Sequence, residues 1–260
     1  MIDISFIICT KNAKDTIFDN LISLRHYPVI LVDKDSKDGT LEIAEKFDNV
    51  KVVKQHNSGI AAARNLGLKY VTTKFVAMWG CDNVLKNIKD IDKIIDYMEK
   101  MKWVGCSFKT KIPNPLTYFD KCMSIWWTEK FTSGQKIVIG TPVVYKTEVL
   151  KKIGYDEKCC YSDDTDLGEK LRSKKFKQGY SEITCYDITL NTFKNVKQRF
   201  LMYGRSDAEY YRKYSKDWIL RRKIKSWLHP VKSNWIKRLT YFPFFCIITV
   251  IRYIGWLKNI

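Results

Sequence analysis

Proline and glycine are scarce in this sequence, at six and twelve of its 260 residues. This scarcity excludes collagen-like chains and long flexible linkers. No motif of about 20–50 residues recurs, which argues against a solenoid. The eight cysteines form no Cys-x-x-Cys pair and fit no zinc framework. We therefore expect reduced thiols and a cytosolic location.

We expect no signal sequence, and the C-terminal apolar run Leu239–Leu257 is interrupted by Pro243 and Arg252. The N-terminal residues MIDISFIICTKN contain no basic region followed by a cleavable apolar stretch, and they predict a first strand. The apolar window Tyr241–Ile251 has 11 residues, short of the roughly 20 that a spanning helix needs. Three interpretations of residues 239–257 stay open: an interfacial amphipathic anchor, one spanning helix extended through Leu257, or ordinary core packing.

Acidic residues are rare in the C-terminal quarter. Lys194–Ile260 holds 16 Lys and Arg against three acids, so most of the chain's net charge of +18 lies there. Such a concentration of positive charge predicts a polyanionic partner. Nucleic acid and anionic lipid are the two candidates, and the Trp residues among the Lys and Arg favour a membrane interface.

The first hundred residues alternate short β-rich runs with helical periods. A hydrophobic fraction of 45% supplies enough apolar surface for a core. The alternation predicts a parallel sheet covered on both faces, with ligands at the C-terminal ends of its strands. The predicted strands are Ile4–Cys9, Val29–Val32, Val50–Val53 and Phe75–Trp79, and the predicted helices are Asp15–Leu24, Leu41–Phe47, Gly59–Tyr70 and Ile88–Met101.

Beyond residue 102 the pattern changes. Longer segments join the predicted strands Trp103–Lys109, Ile137–Tyr145 and Gly179–Tyr186. A helix is predicted over Asp164–Lys174, and the chain turns helical and basic past Asn191. We expect a catalytic domain over residues 1–190, divided into a nucleotide-binding half (1–101) and an acceptor half (102–190), and a basic helical membrane-associating region over 191–260.

An acidic turn, Asp33–Thr40, leaves the second predicted strand. A carboxylate at such a strand end can accept hydrogen bonds from a nucleobase or a ribose hydroxyl. Ser36 and Asp38 can satisfy free backbone donors at the following helix start. Taken alone, this pattern also fits an ordinary N-capped turn.

Two further motifs are suited to binding a diphosphate and its divalent cation. Asn57–Gly67 combines a glycine loop, a helix start and Arg64, and both the free N–H groups and the guanidinium favour phosphate oxygens. Asp82 follows the fourth strand, where a carboxylate can bind a hard divalent cation. Arg64 in a structural ion pair and Asp82 as a turn residue are the alternatives.

Taken together, the motifs resemble the family 2 glycosyltransferases of the GT-A fold, over roughly residues 1–175. The resemblance is carried by five segments in order: Thr10-Lys11-Asn12, Asp33–Thr40, Asn57–Gly67, Gly80-Cys81-Asp82 and Ser162–Leu167. It implies an α/β fold with a mixed, mainly parallel sheet, helices on both faces and a basic helical appendage. It also implies inverting transfer from a nucleotide-diphosphate sugar.

The resemblance assigns roles by position. Asp164 matches the general base, and Asp163 and Asp166 are the acidic residues beside it on the acceptor side. Asp82 matches the metal-binding Asp. The nucleotide-sugar site would comprise Thr10, Asn12, Asp33, Asp35, Ser36, Asn57, Arg64 and Asp82.

This sequence departs from the family pattern in two places. Gly80 replaces the first Asp of the metal motif, so a Mn²⁺ or Mg²⁺ cofactor would be weakly held. Lys34 replaces a common second acid in the Asp-rich turn, which leaves the choice between UDP and GDP open.

We therefore expect a glycosyltransferase that acts on a lipid-linked or envelope glycan acceptor. Residues 194–260 would hold it on the anionic, cytoplasmic face of a membrane as a peripheral or monotopic protein, with a single C-terminal span as the alternative. We expect no nucleic-acid partner. A sugar nucleotidyltransferase and a nucleic-acid-binding protein are the rival hypotheses. Cys9–Asn12 lacks the glycine-rich basic loop of the first rival, and the second leaves the acidic motifs unexplained.

Overall fold

The computed structural model describes residues 2–56, 59–130, 133–214 and 239–259. The chain divides into two compact units. Asn57 and the basic residues from 215 to 238 lie outside the described residues. Unit 1 comprises Met1–Pro113, Phe131–Lys158 and Asp163–Thr189, and unit 2 comprises Asn114–Lys130, Cys159–Ser162 and Leu190–Ile260.

The first half of unit 1 alternates strands and helices, as predicted. The element ends lie within three residues of the predicted ones, and β4 has the predicted bounds. The strands are β1 (Ile4–Thr10), β2 (Val29–Asp33), β3 (Val50–Lys54) and β4 (Phe75–Trp79). The helices between them are α1 (Lys14–Ser23), α2 (Thr40–Ala44) and α3 (Ile60–Lys69).

The second half of unit 1 mixes short strands with helices. Helix α7 (Asp163–Ser173) begins within one residue of its predicted start. The other elements are β5 (Asn83–Leu85), α4 (Asp90–Met101), β6 (Gly105–Lys111), β7 (Gly134–Gln135), β8 (Val143–Lys146), α6 (Thr147–Ile153) and β9 (Gln178–Asp187). Of these, the short elements β5, β7 and α6 were not predicted from the sequence.

The prediction of a strand over Ile137–Tyr145 was wrong for most of its length. Only Val143–Lys146 is a strand, and it is preceded by the turn residues Gly140-Thr141-Pro142. Proline has no N–H for a ladder bond, and Gly140 has a φ of 81°. The segment before this turn is held by side chains instead, since the backbone N–H of Ile139 donates to the Tyr180 hydroxyl at 2.8 Å.

The nine strands of the described residues belong to one sheet, in the order β3-β2-β1-β4-β8-β6-β9-β5, with β7 also paired to β9. β3, β2, β1 and β4 are mutually parallel, whereas β8 is antiparallel to both β4 and β6. The carboxyl ends of four neighbouring strands therefore lie along one edge of the sheet. The predicted mixed sheet is therefore confirmed.

Helices cover both faces of the parallel half. Phe6 and Ile8 point to the face where α1 and α4 pack, in a core with Ile17 and Leu21 of α1. Ile7 points to the opposite face, toward α3. There Gly67 allows close packing, because a Cβ at this position would lie 2.7 Å from Ile7 Cγ2.

Unit 2 is built from helices. They are α5 (Tyr118–Lys130), α8 (Phe193–Lys213), a 3₁₀ turn (Leu239–Tyr241) and α9 (Phe242–Leu257). Cys122, Met123 and Trp126 form the buried face of α5. Trp126 stacks on Tyr203 of α8 with ring centroids 5.6 Å apart.

Helices α8 and α9 approach each other closely. A Cβ on Gly204 would lie 2.1 Å from the carbonyl oxygen of Arg252, and one on Gly255 would lie 2.3 Å from that of Leu201. Arg252 also forms a two-point ion pair with Asp207, at 2.7 and 3.1 Å, in which both side chains are nearly buried. Glycine contacts and a buried ion pair therefore fix the register of the two helices.

The C-terminal helical segment Leu239–Leu257 is long and apolar enough to cross a membrane by length and composition alone, and a third of its most apolar window is buried. Phe244, Phe245, Ile248 and Ile251 of α9 form its buried face. A second apolar face is exposed, formed by Ile247, Val250, Tyr253, Ile254 and Leu257. Helix α9 is thus apolar on two sides.

Candidate active site

The loops that follow β1 and β2 interlock at the carboxyl edge of the sheet. Thr10 and Asp33 are direct partners in the β1–β2 ladder. The backbone N–H of Asn12 donates to Ser36 Oγ at 2.8 Å, and that of Lys37 donates to Asn12 Oδ1 at 2.9 Å. Asn12 and Asp35 both have a φ of 53°, in the left-handed region that asparagine and aspartate tolerate best among non-glycine residues.

Asp33 is buried and is held from within its own turn. It accepts hydrogen bonds from the backbone N–H and the hydroxyl of Ser36. Ser36 therefore binds Asp33 and Asn12 and does not cap the following helix, contrary to the prediction. Asp38 serves the helix starts instead, accepting from the N–H groups of Thr40 and of Lys14, the first residue of α1.

Arg64 of α3 forms an ion pair with Asp163, the first residue of α7. The two side chains are 11% and 5% exposed. The guanidinium lies over the ring of Tyr155, with Cζ 5.2 Å from the ring centroid. Burial alone would lower the pKa of Arg64. The neighbouring carboxylate of Asp163 opposes this effect, and the pKa is raised above its ordinary value, so the guanidinium stays charged.

Asp163 and Asp164 lie side by side at the start of α7, where the helix dipole favours negative charge. Burial raises the pKa of Asp163 to about 6; Arg64 opposes this rise and Asp164 adds to it. Asp164 is more exposed, and its Oδ1 accepts a hydrogen bond from the N–H of Thr165 at 2.6 Å. Tyr145 and Tyr180 are buried near this pair, and their pKa values are raised mainly by burial and further by Asp164.

Asp82 lies in the tight turn between β4 and β5. Its Oδ2 accepts a hydrogen bond from Thr189 Oγ1 at 2.7 Å, and its backbone carbonyl accepts one from the N–H of Ile188. A Cβ on Gly80 would lie 2.6 Å from Asp82 Oδ1, 2.7 Å from Asn83 Oδ1 and 3.0 Å from Thr141 Oγ1. The space that a side chain at position 80 would need is therefore taken by three oxygen atoms.

Arg64 and Asp82 line the same cavity, of about 140 Å³. Cys9, Cys81 and Thr141 also line it. Burial raises the pKa of each of the two thiols to about 12, so neither is a thiolate at neutral pH. Gly140, the neighbour of Thr141, lies beside Asp164, since its Cβ would be 3.8 Å from Asp164 Oδ2.

The structure thus brings the predicted residues together in two adjoining groups. Thr10, Asn12, Asp33, Asp35 and Ser36 form the interlocked loops. Around the cavity lie Arg64 and Asp82, with Asp163 joined to Arg64 and Asp164 beside the cavity loop at Gly140–Thr141. Asp166 is fully buried and forms an ion pair with Lys170 of its own helix, at 3.0 Å.

Several residues at the site were missed by sequence reasoning. Thr141 lies in the segment wrongly assigned to a strand, although Gly-Thr-Pro is a turn signal that could have argued against that assignment. Tyr155 and Thr189 have no local signal, since they reach Arg64 and Asp82 from 91 and 107 residues away along the chain. Asn20, whose amide donates hydrogen bonds to the carbonyls of Gly80 and Asn83 beside Asp82, was predicted only to lie within a helix.

The donor set of the turn fits a hard divalent cation. Asp82 Oδ1 lies near the oxygens of Asn83 and Thr141, and no described residue donates a hydrogen bond to it. Carboxylate, amide and hydroxyl oxygens are the ligands that Mg²⁺ and Mn²⁺ accept. With a single carboxylate, the turn would hold such an ion largely together with substrate phosphates.

Comparison with known proteins identifies the family. The sequence pattern of Glycosyl transferase family 2 matches residues 5–153, more than half of the chain. The chain therefore belongs to this family of glycosyltransferases, as its motifs indicate.

Two of the relatives are a galactosyltransferase and a polysaccharide synthase. A cholesterol galactosyltransferase of Borreliella burgdorferi is 32% identical over 164 residues, which are 53% of this chain and 46% of that protein. A poly-beta-1,6-N-acetyl-D-glucosamine synthase of Staphylococcus aureus is 22% identical over 216 residues, 75% of this chain and 52% of that protein. The chain thus spans about half the length of these relatives.

Solved structures share the fold. The mannosyltransferase PcManGT of Pyrobaculum calidifontis, in complex with GDP-Man and Mn²⁺, has a TM-score of 0.72 at 14% identity, over 99% of this chain and 86% of that chain. Residues 1–349 of TarS from S. aureus, in complex with UDP-GlcNAc, have a TM-score of 0.58 at 18% identity, over 84% of this chain and 69% of that chain.

The Gly80 turn yields a first prediction. Gly80→Ala, and Gly80→Asp, which restores the family's usual acid, should each displace Asp82 and weaken Mn²⁺ binding in the presence of UDP or GDP by about tenfold or more. Gly179→Ala is the control, because a Cβ there would lie 2.4 Å from both Trp103 Cη2 and the carbonyl oxygen of Gly134, which do not line the cavity. Manganese titration by electron paramagnetic resonance measures the effect. Tighter binding by Gly80→Asp would contradict this account of the turn.

The second prediction concerns Asp163. Its carboxyl should titrate near pH 6, and Asp164→Asn should lower that pKa by removing a neighbouring negative charge. Because the folded-state pKa lies above the ordinary value of 3.8, the folded chain binds this proton more tightly than the unfolded chain. The contribution of Asp163 to the free energy of unfolding should therefore fall as the pH rises from about 4 to 6. Heteronuclear NMR of labelled aspartate carboxyls measures the titration, and an unchanged pKa in Asp164→Asn would refute the coupling.

Proposed function

We propose that this chain is an inverting glycosyltransferase that transfers a sugar from a nucleotide-diphosphate sugar to a hydroxyl of a lipid-linked or envelope glycan. The observation that supports it most directly is the cavity shared by Arg64 and Asp82, with Asp164 beside the Gly140–Thr141 loop. Glycosyl transfer must stabilise charge on the leaving group, hold a cation near the phosphates and remove a proton from the acceptor. A guanidinium, an oxygen-rich turn and a partly exposed carboxylate at one sheet edge suit these three demands. Family membership favours this function over a sugar nucleotidyltransferase.

The nucleotide would bind at the interlocked loops. Asp33 would accept hydrogen bonds from the base or ribose, with Thr10, Asn12, Asp35 and Ser36 around it. A nucleotide-sugar donor is supported by the structural neighbours, which are in complex with UDP-GlcNAc and with GDP-Man. Uridine and guanosine nucleotides both occur in these complexes, so we keep UDP and GDP as alternatives.

The leaving group is a nucleoside diphosphate, on which negative charge grows as the bond from the anomeric carbon to the diphosphate oxygen breaks. Arg64 would stabilise that charge from a nearly buried position, where a fixed cation acts more strongly than in water. Asp163 orients the guanidinium and keeps it charged. Asp82 would hold a divalent cation, which would neutralise phosphate charge when bound.

The acceptor hydroxyl attacks the anomeric carbon as that bond breaks, and it must lose its proton. Asp164 would take the proton, because its carboxylate is partly exposed and borders the cavity loop. One base and one displacement invert the configuration at the anomeric carbon.

A lipid-linked or envelope acceptor is supported by the relatives. One is a cholesterol galactosyltransferase and another is a poly-beta-1,6-N-acetyl-D-glucosamine synthase. The exposed apolar face of α9 and the excess of Lys and Arg after residue 194 agree with an enzyme that works on the anionic, cytoplasmic surface of a membrane. We favour an interfacial anchor over a spanning helix, because α9 also buries one face within unit 2.

The domain boundaries remain part of this proposal. Residues 1–190 would be the catalytic domain, with the nucleotide handled by 1–101 and the acceptor by 102–190. Residues 191–260 would be the membrane-associating region.

The function is tested with a panel of UDP- and GDP-sugars, Mn²⁺ or Mg²⁺, and a membrane lipid extract as the source of acceptor. We expect one of the donors to release UDP or GDP, and we expect this release to require the extract.

Asp164→Asn should reduce transfer by at least about a thousandfold while nucleotide binding stays near that of the wild type. Asp166→Asn is the control on the same helix, and we expect it to retain transfer if the variant folds. Wild-type turnover by Asp164→Asn would remove this residue from the mechanism.

Membrane association has its own test. Replacing Ile247, Val250 and Ile254 with Gln should reduce co-sedimentation with anionic vesicles, since three large apolar side chains would leave the lipid interface. These residues are exposed, so the fold of unit 2 should persist. Ile22→Gln, at an exposed apolar position on α1, is the control. Equal vesicle binding by the triple variant would reject the anchor.

A further inference from the structure

A buried asparagine of α1 reaches the turn that carries Asp82. Asn20 is fully buried, on the face of the helix that also buries Ile17 and Leu21. Its Nδ2 donates hydrogen bonds to the carbonyl oxygens of Gly80, at 2.8 Å, and of Asn83, at 2.6 Å. These carbonyls belong to the first and last residues of the turn, so one amide group bridges its two ends.

The orientation of this amide follows from its contacts. Both partners are carbonyl oxygens, so the nitrogen must face them, and a flipped amide would place oxygen against oxygen. The Oδ1 atom is buried and accepts no hydrogen bond from the residues that the structure describes. A buried acceptor without a partner costs free energy, which an apolar residue at this helix position would avoid. The position therefore carries an amide although core packing does not require one.

The turn does not depend on Asn20 for its existence. Gly80 O also accepts the N–H of Asn83 at 3.1 Å, and Asn83 O also accepts Trp79 Nε1 at 2.9 Å. The N–H of Gly80 donates to Asn83 Oδ1. Removing the amide would thus leave each carbonyl with one partner. What would be lost is the double hydrogen bond that ties both ends of the turn to helix α1. The N–H of Leu85, just past the turn, would still donate to Ser23 Oγ of α1 at 3.3 Å.

We propose that Asn20 is a positioning residue for Asp82, holding the Gly80–Asn83 turn so that the carboxylate keeps one orientation toward a divalent cation and the donor diphosphate. This inference rests on the proposed function. The turn lacks the family's first acid at position 80, so metal binding depends on one carboxylate. No second carboxylate can compensate if Asp82 is poorly oriented, so a mobile turn would reduce the metal affinity more than in a site with two acids.

The test uses the full chain with Asn20→Leu, which keeps the number and branching of the side-chain heavy atoms and removes both donors. Amide hydrogen exchange of the ligand-free protein reports on the turn, through the bonded N–H groups of Gly80 and Asn83. We expect faster exchange there, and Mn²⁺ affinity in the presence of UDP or GDP should fall by about tenfold or more. Asn20→Ser, whose hydroxyl is too short to reach the turn, provides a second variant in case the leucine fails to fold.

Asn49 supplies a matched control. Its Nδ2 likewise donates to two carbonyls, those of Leu24 at 3.1 Å and Tyr27 at 2.7 Å, in a turn at the other end of β2. Asn49→Leu removes the same chemistry away from the site, and it should leave the Gly80–Asn83 exchange and the Mn²⁺ affinity unchanged. Comparable losses in the two variants would assign the effect to general stability and overturn the proposal.

The remaining outcomes are separable. Unchanged exchange and unchanged affinity in both Asn20 variants would overturn the positioning role. Faster exchange with unchanged affinity would also overturn it, since the turn would then move without consequence for the ion. If the wild-type protein bound neither UDP nor GDP, the proposed function would fail, and hydrogen exchange would still decide whether Asn20 holds the turn.

Discussion

The ion pair between Arg64 and Asp163 is the interaction on which the site depends. It joins a helix of the parallel half of unit 1 to the start of α7, across 99 residues of chain. A buried guanidinium without a partner would be costly, and removing one partner of such a pair destabilises proteins by about 3–5 kcal/mol. The pair therefore serves the fold and the chemistry at once. It keeps Arg64 charged beside the cavity, and it fixes the first residue of the helix that presents Asp164.

This coupling resolves an ambiguity in the motif around Arg64. Read by itself, an arginine in a small-residue helix is either a phosphate ligand or a structural partner. In the structure it forms an ion pair and also lines the cavity, so one interpretation does not exclude the other. The same holds for Asp33, which is a buried turn residue bonded to Ser36 and also lies at the sheet edge where a nucleotide would bind.

Position 80 shows how a departure from a family pattern can be compatible with the site. The side-chain oxygens of Asp82, Asn83 and Thr141 fill the space that a first acid would occupy, and the turn is anchored by Trp79, Asn20 and Thr189. Such a turn places one carboxylate rigidly and does not hold two. A weakly held metal, the expectation drawn from the missing acid, is consistent with this geometry and remains part of the proposed function.

Local pattern was sufficient for much of this protein. Short apolar runs alternating with helical periods predicted the parallel half, because a buried strand and an amphipathic helix each leave a periodic signature within ten residues. The ordered motifs pointed to the family and to most of the candidate site. Tertiary structure alone decided the course of residues 137–142, the partners of Arg64 and Asp82, and the burial of Asn20 against the turn. These depend on contacts between residues about 40 to 110 positions apart, and no periodicity within a segment encodes which distant segment it will meet.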